Sequence, residues 1–271
     1  MELIRQAMYD LLATEHPATV RQVFYRLVSD GVIAKTETEY NAIVVRHLTA
    51  LRRAGVIPYQ WIADNTRWMR KSQSFDSVED ALYRTAQSYR RALWANQGAY
   101  VEVWLEKDAL AGVVLEVTDP SDVPLMVTRG YPSLTFLHSA AEQIAGAGKP
   151  CFLYYLGDYD PSGVHIPQRV EADLRTLTPE ADLHFERLAV NPAQIDAWGL
   201  PTRPTKRSDS RSKRFNGESV EVDAIPPDLL RALVTQAILR HVDDGALEVL
   251  KAAEDSERQL LYAMTMRGIA A

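Results

Sequence analysis

Three carboxylates stand where apolar runs of the chain stop. Glu106 closes YVEVWLE, and Asp158 and Asp160 follow the run CFLYYL inside the stretch LYYLGDYDPSG. Strand propensity does not favour aspartate or glutamate, so acids at these places ask for another cause. Two residues apart on extended backbone, Asp158 and Asp160 project to the same side. Gly157 permits close approach of backbone or ligand, and Pro161, Ser162 and Gly163 turn the chain into the next helix. In an open parallel sheet, sites form beyond the carboxyl ends of the strands, which is where these acids are expected. Three hard oxygen donors suit Mg²⁺, which binds a few carboxylates, keeps waters and recruits phosphate oxygens. The alternative is that the acids cap helices, a role that suits Asp160 before Pro161 best.

Tyr25 is the second candidate. It follows Arg21 by four residues in VRQVFYRLV, so on a helix the two share a face. A tyrosine hydroxyl has an ordinary pKa of about 10 and needs a neighbouring cation or base to act as a nucleophile. The alternative is an aromatic that packs in the core, as Phe24 is expected to do. Glu102, in the same run as Glu106, reads as a structural acid or one that supports Glu106, and His165 as a helix-surface histidine ahead of one that faces the site. Gly130 and Tyr131 shape a turn, Lys107 is either a phosphate contact or simply exposed, and Cys151 is a buried strand residue.

Two kinds of pattern must position these residues. Glu2–Thr14, Thr19–Ser29 and Tyr40–Ala54 have helical periodicity, with Gly31 and Gly55 as stops. VIPYQWIADNTR then reads as a strand, a short turn and a return. Three helices followed by a hairpin is the order of a winged helix, whose third helix enters the major groove. That helix carries Arg46, His47, Arg52 and Arg53. Asp76–Gln97 reads as a linking helix. From Tyr100 onwards, apolar runs alternate with helical stretches, which predicts a parallel sheet with helical crossovers, an α/β fold. SVEVDAI near the C-terminus reads as a further strand before a helix opened by Pro226 and Pro227. The expected organisation is a winged helix over 1–75, a linking helix over 76–98, and the α/β domain with a C-terminal extension over 99–271.

The chain has 271 residues, 46% of them apolar, enough for a well-formed core. One cysteine excludes an intrachain disulfide or a cysteine zinc cluster. MELIRQAMYDLLATEH lacks the apolar core of a signal peptide and no run is long enough to span a membrane, so a cytoplasmic, nucleoid-associated location is expected. The formal net charge is −6, which argues against a nucleic-acid binder. The charge is uneven, however. Residues 1–72 carry ten Lys and Arg against seven Asp and Glu, and RPTKRSDSRSKR holds Arg203, Lys206, Arg207, Arg211, Lys213 and Arg214 against Asp209. Phosphate binding needs a local positive face, not a basic whole. GAGK at Gly146–Lys149 only mimics a phosphate loop, since Gln143 and Pro150 replace the required glycine and hydroxyl residues.

VEVWLEKDAL, LMVTRGYPSL and YLGDYDPSGVHI resemble three successive blocks of a TOPRIM domain, a Rossmann-like parallel sheet. More narrowly, with VRQVFYRLV before them, they resemble the A subunit of DNA topoisomerase VI and its meiotic double-strand-break relatives. The likeness covers roughly residues 17–170, with a looser match of VEVDAIPP. It implies that Tyr25 attacks DNA to form a 5′-phosphotyrosyl link, with Arg21 near the phosphate. It also implies that Glu106, Asp158 and Asp160 bind Mg²⁺, that Glu106 takes part in catalysis, and that the protein is a homodimer whose tyrosine and metal site come from different protomers. The double-stranded DNA contacts would then fall to Arg46, Arg52, Arg53 and the basic segment. The chain is shorter than such an A subunit and carries no ATPase motif, so strand passage would need a separate ATPase subunit. Two rivals stand beside the transesterase: a metal-dependent TOPRIM nuclease in which water replaces the tyrosine, and a non-catalytic DNA-binding protein of a phage or mobile element.

Overall fold

The computed structural model describes residues 1–63, 73–204, 215 and 218–268. At its centre lies a four-stranded, all-parallel sheet in the order β2-β1-β3-β4, formed by β1 (Tyr100–Leu105), β2 (Leu125–Val127), β3 (Cys151–Leu156) and β4 (Leu183–Ala189). The central pair runs in register from Tyr100 opposite Cys151 to Leu105 opposite Leu156. Because successive side chains alternate across a strand, each face has its own apolar set. Val101, Val103, Leu105, Tyr154 and Leu156 face one core, whereas Trp104, Cys151, Leu153 and Tyr155 face the other. A sheet covered on both faces explains why YVEVWL and CFLYYL are apolar at almost every position. The exception, Glu102, is fully buried and accepts hydrogen bonds from the Tyr100 hydroxyl at 2.8 Å and the Trp104 indole at 2.7 Å. It is structural, as expected, and its burial raises its pKa.

Crossovers α6 (Ala111–Thr118), α7 (Leu134–Ala147) and α8 (Pro161–Leu177) join the strands. Helices α7 and α8 cover the Trp104 face; α6 and α10 (Pro227–Leu239) lie on the other. That second core continues without a break into the N-terminal helices α1 (Glu2–Glu15) and α2 (Val20–Ser29), through Met8, Leu12, Val23, Phe24 and Leu27. Each of these buried side chains contributes about 1.5–3 kcal/mol relative to exposure. A capping box holds the start of α2: Thr19 Oγ1 accepts from the Gln22 amide at 3.1 Å, and Gln22 Oε1 from the Thr19 amide at 3.0 Å.

The third N-terminal helix is built from α3 (Glu37–Glu39), a π-helical stretch (Tyr40–Val45) and α4 (Arg46–Arg53). The expected hairpin after it differs. Tyr59–Trp61 forms a 3₁₀ turn and Ile62 makes a single parallel bridge to Ala18; residues 64–72 lie outside the described residues. The linking helix is shorter than expected, α5 (Val78–Ser88), because Ser77 caps its start and the chain leaves helix at Tyr89. It packs against the last helix, α11 (Asp244–Gly268), where Tyr83 meets Tyr262 with ring centroids 5.8 Å apart. SVEVDAI is not a strand. Ser219 and Val220 make single antiparallel bridges to Arg203 and Tyr159, and Val222–Ala224 is a 3₁₀ turn. A short α9 (Pro192–Ala197) follows β4. Among the described residues, no helix is long and apolar enough to cross a membrane.

Candidate active site at the sheet edge

The carboxyl ends of β1 and β3 are adjacent, so Glu106 and Asp158 emerge side by side. The Glu106 amide donates to Leu156 O at 2.9 Å, and Glu106 Oε2 accepts from the Asp158 amide at 3.1 Å. Gly157 is needed between them: a Cβ there would stand 2.5 Å from Glu106 Oε2 and 2.6 Å from the Tyr155 ring. Gly163 is required for a related reason. Its hypothetical Cβ would lie 2.1 Å from Asp158 O, so the first turn of α8 closes onto the acidic loop only without a side chain. These two glycines explain the spacing of the G-D-Y-D-P-S-G stretch.

Asp160 caps a helix through one of its two carboxylate oxygens. Its Oδ1 accepts from the Gly163 amide at 2.7 Å and caps α8, with Arg203 4.0 Å from Oδ2. Asp158 is buried, and its Oδ1 accepts from the Val222 amide at 2.9 Å and from Lys107 Nζ at 3.1 Å. Lys107 differs from its reading as a simply exposed residue. It is neither exposed nor pointed at open solvent, but sits among Asp158, Glu221 at 3.2 Å and Asp223 at 2.6 Å. Burial opposes its charge, yet these three carboxylates outweigh that and raise its pKa.

Glu221 is a meeting point for cations. Arg203 lies at 2.5 Å, Lys107 at 3.2 Å and Arg21 at 3.4 Å. Burial alone would push its carboxyl up, but the three cations bring it down to about 2. Glu106 moves the opposite way. Burial, then the charges of Asp158 and Asp160, push it up to about 7 against the pull of the Asp158 amide and Lys107. Burial also raises Asp158, against Lys107.

Tyr25 belongs to the same neighbourhood. It is 2% exposed, on α2, which packs against the 3₁₀ turn at Val222–Ala224. Arg21 and Lys35 approach its ring at 5.8 Å and 5.2 Å from the centroid. Burial and the Glu221 charge raise its hydroxyl pKa despite Arg21 and Lys107. Lys35, brought down to about 8 chiefly by burial, donates to the carbonyls of Pro201 and Thr202 at 2.7 and 2.6 Å.

Arg187 does not stand out in its sequence context. From inside β4 it donates to Gly157 O at 3.1 Å, Asp158 O at 2.5 Å, Gly163 O at 2.8 Å and Val190 O at 2.9 Å, tying the acidic loop together. An arginine facing inward from LHFERLAV is the available signal. Glu221 and Asp223 are signalled only by VEVDAIPP. His165 is exposed, as expected for a helix surface, with Nδ1 2.7 Å from the Tyr131 hydroxyl.

The expected DNA contacts are only partly on view. Arg46 and Arg53 are exposed on α4; Arg52 is half-buried, 5.8 Å from the Tyr59 ring centroid. Lys206, Arg207, Arg211, Lys213 and Arg214 lie outside the described residues.

Among the described residues, no group of three or more His, Cys, Asp or Glu side chains stands ready to hold a metal ion. The donor chemistry nevertheless suits a hard divalent cation: three carboxylates lie near one sheet edge, and Glu106 is pushed up by burial and by the charges of Asp158 and Asp160, a repulsion that a bound cation would relieve.

Residues 82–178 match a family model described as "Protein of unknown function C-terminus (DUF2399)". That span contains Glu106, Asp158 and Asp160, and leaves out Tyr25, Glu221 and Asp223. No curated protein matches the chain.

Proposed function

We propose that the chain is a metal-dependent DNA-breaking enzyme of the TOPRIM type, with Glu106, Asp158 and Asp160 as its metal-binding acids. The observation that carries this reading is the meeting of Glu106 and Asp158 at the carboxyl edge of a parallel sheet, with Glu106 pushed up to about 7. Carboxylates crowded in this way at the ligand edge of an α/β sheet are the expected preparation for a cation. When bound, Mg²⁺ would supply charge stabilisation at a phosphodiester and lower the pKa of a coordinated water. The chain's own part is positional. Arg187 and Gly163 hold the loop that carries Asp158, and Arg21 and Arg203, each partly solvent-accessible, offer cations to a phosphate beside it.

Among the expected chemistries, hydrolysis fits the geometry best. Tyr25 is 2% exposed and its hydroxyl is harder to ionise than a free phenol, so water is the better-placed nucleophile. One observation favours the tyrosyl route instead: the Arg21 and Lys35 cations lie over the Tyr25 ring. On that route a second protomer would carry the partner site, as the resemblance to topoisomerase VI A subunits implies. The N-terminal helices, with Arg46 and Arg53 exposed, serve in either route as a winged-helix-like DNA-binding element. The test is cleavage of supercoiled plasmid with Mg²⁺ or Mn²⁺, with and without protease before electrophoresis. Hydrolysis leaves products whose migration protease does not change; a tyrosyl enzyme leaves DNA that protease releases from protein.

A further inference from the structure

Three carboxylates from separate parts of the chain converge on one nitrogen. Asp158 follows β3, Glu221 precedes the 3₁₀ turn, and Asp223 lies within it; their oxygens are 3.1, 3.2 and 2.6 Å from Lys107 Nζ. The three acid side chains are 11%, 7% and 3% exposed. A compact ammonium with three donors fills such a place as a point charge, which arginine could not do. Asp158 is also one of the acids assigned above to the metal, so it stands between that set and the lysine seat. Two-metal phosphodiester enzymes place a pair of ions about 3.5–4 Å apart, commonly sharing ligands. Here the place beside Asp158 is filled by the Lys107 ammonium, which is covalently attached to the chain.

We propose that Lys107 is a built-in cation that takes the place of a second divalent ion, so that the site binds one metal per chain. This deepens the reading given above and rests on it. The seat formed by Asp158, Glu221 and Asp223 is closed to metal by the lysine. Lys107→Met keeps the length and apolar stem of the side chain and removes its charge, which opens the seat to a hard cation.

The experiment is calorimetric titration of MnCl₂ into the full-length wild type and Lys107→Met, without DNA, beside thermal melting in EDTA and in Mn²⁺. The expected result is one Mn²⁺ per chain for wild type and two for the variant. Should the variant be unfolded in EDTA, Mn²⁺ is expected to restore its melting transition; failure to do so overturns the proposal. One ion in both proteins, or two in wild type, also overturns it. No ion in wild type would sink the metal role of Glu106, Asp158 and Asp160 instead. In that case, one ion in the variant would still support the lysine seat, and none would overturn it as well.

Discussion

At the scale of single residues, Glu106 links structure to pH. Its folded pKa is raised from 4.5 to about 7, so the native state binds its proton more tightly than the unfolded chain does. The associated stability is fully present below about 4.5 and is lost as pH rises through about 7. Metal-free protein is therefore expected to lose up to about 3 kcal/mol from this group between pH 5 and pH 8. Denaturant melts of Glu106→Gln should show a shallower decline over that window; an unchanged slope would mean that Glu106 is not the titrating group. Asp158→Asn preserves shape and an acceptor for the Val222 amide, so the fold should persist. Cleavage should fall by more than about 100-fold, beyond the range for loss of an outer partner of a metal ligand. Residue types at the strand ends are legible because carboxylates there run against propensity. The partners of Lys107 are not, because they lie 51, 114 and 116 positions away. No local pattern distinguishes a lysine that will be buried among acids from one that stays in solvent.

At the scale of elements, the acidic loop between β3 and α8 is a close fit with no room for change. Gly163→Ala would set a methyl group 2.1 Å from the Asp158 carbonyl, and overpacking of this kind costs about 1–3 kcal/mol. Thermal melting should register that loss together with reduced cleavage; an unperturbed variant would show that the loop and helix can part without consequence. The four strands and their crossovers are readable because two-sided burial leaves a nearly continuous apolar run, as in CFLYYL. SVEVDAI carries the alternation of a strand and yet is not one. Its backbone meets one partner at Ser219 and another at Val220, and Glu221 and Asp223 then turn to Lys107 instead of to a sheet. Helix α11 escapes a reading of apolar periodicity for the opposite reason: KAAEDSERQLL is polar nearly all round, and its partner is the equally polar α5.

At the scale of the molecule, the proposed DNA binding by a chain of net charge −6 requires a local positive face. Arg46 and Arg53 are the exposed cations of α4, so reversing both should weaken duplex binding. The slope of log affinity against log salt should become shallower by about 0.9 for each phosphate that is no longer neutralised. An unaltered slope in an anisotropy titration would place the DNA elsewhere. The joining of the N-terminal helices to the sheet by one continuous core is not foreseeable from a division at residues 75 and 98. It matters because it brings Arg21 and Tyr25 to the edge where the acids lie.

The proposed activity of this edge is DNA breakage with a divalent metal. It is tested most directly by incubating supercoiled plasmid with wild type, Tyr25→Phe and Asp158→Asn in Mg²⁺, Mn²⁺ or EDTA, each divided between protease and no protease before electrophoresis. Nicked or linear DNA is expected from wild type and Tyr25→Phe only when metal is present, unchanged by protease, and none from Asp158→Asn. Intact plasmid in every metal with wild type, or equal cleavage by Asp158→Asn, would contradict it.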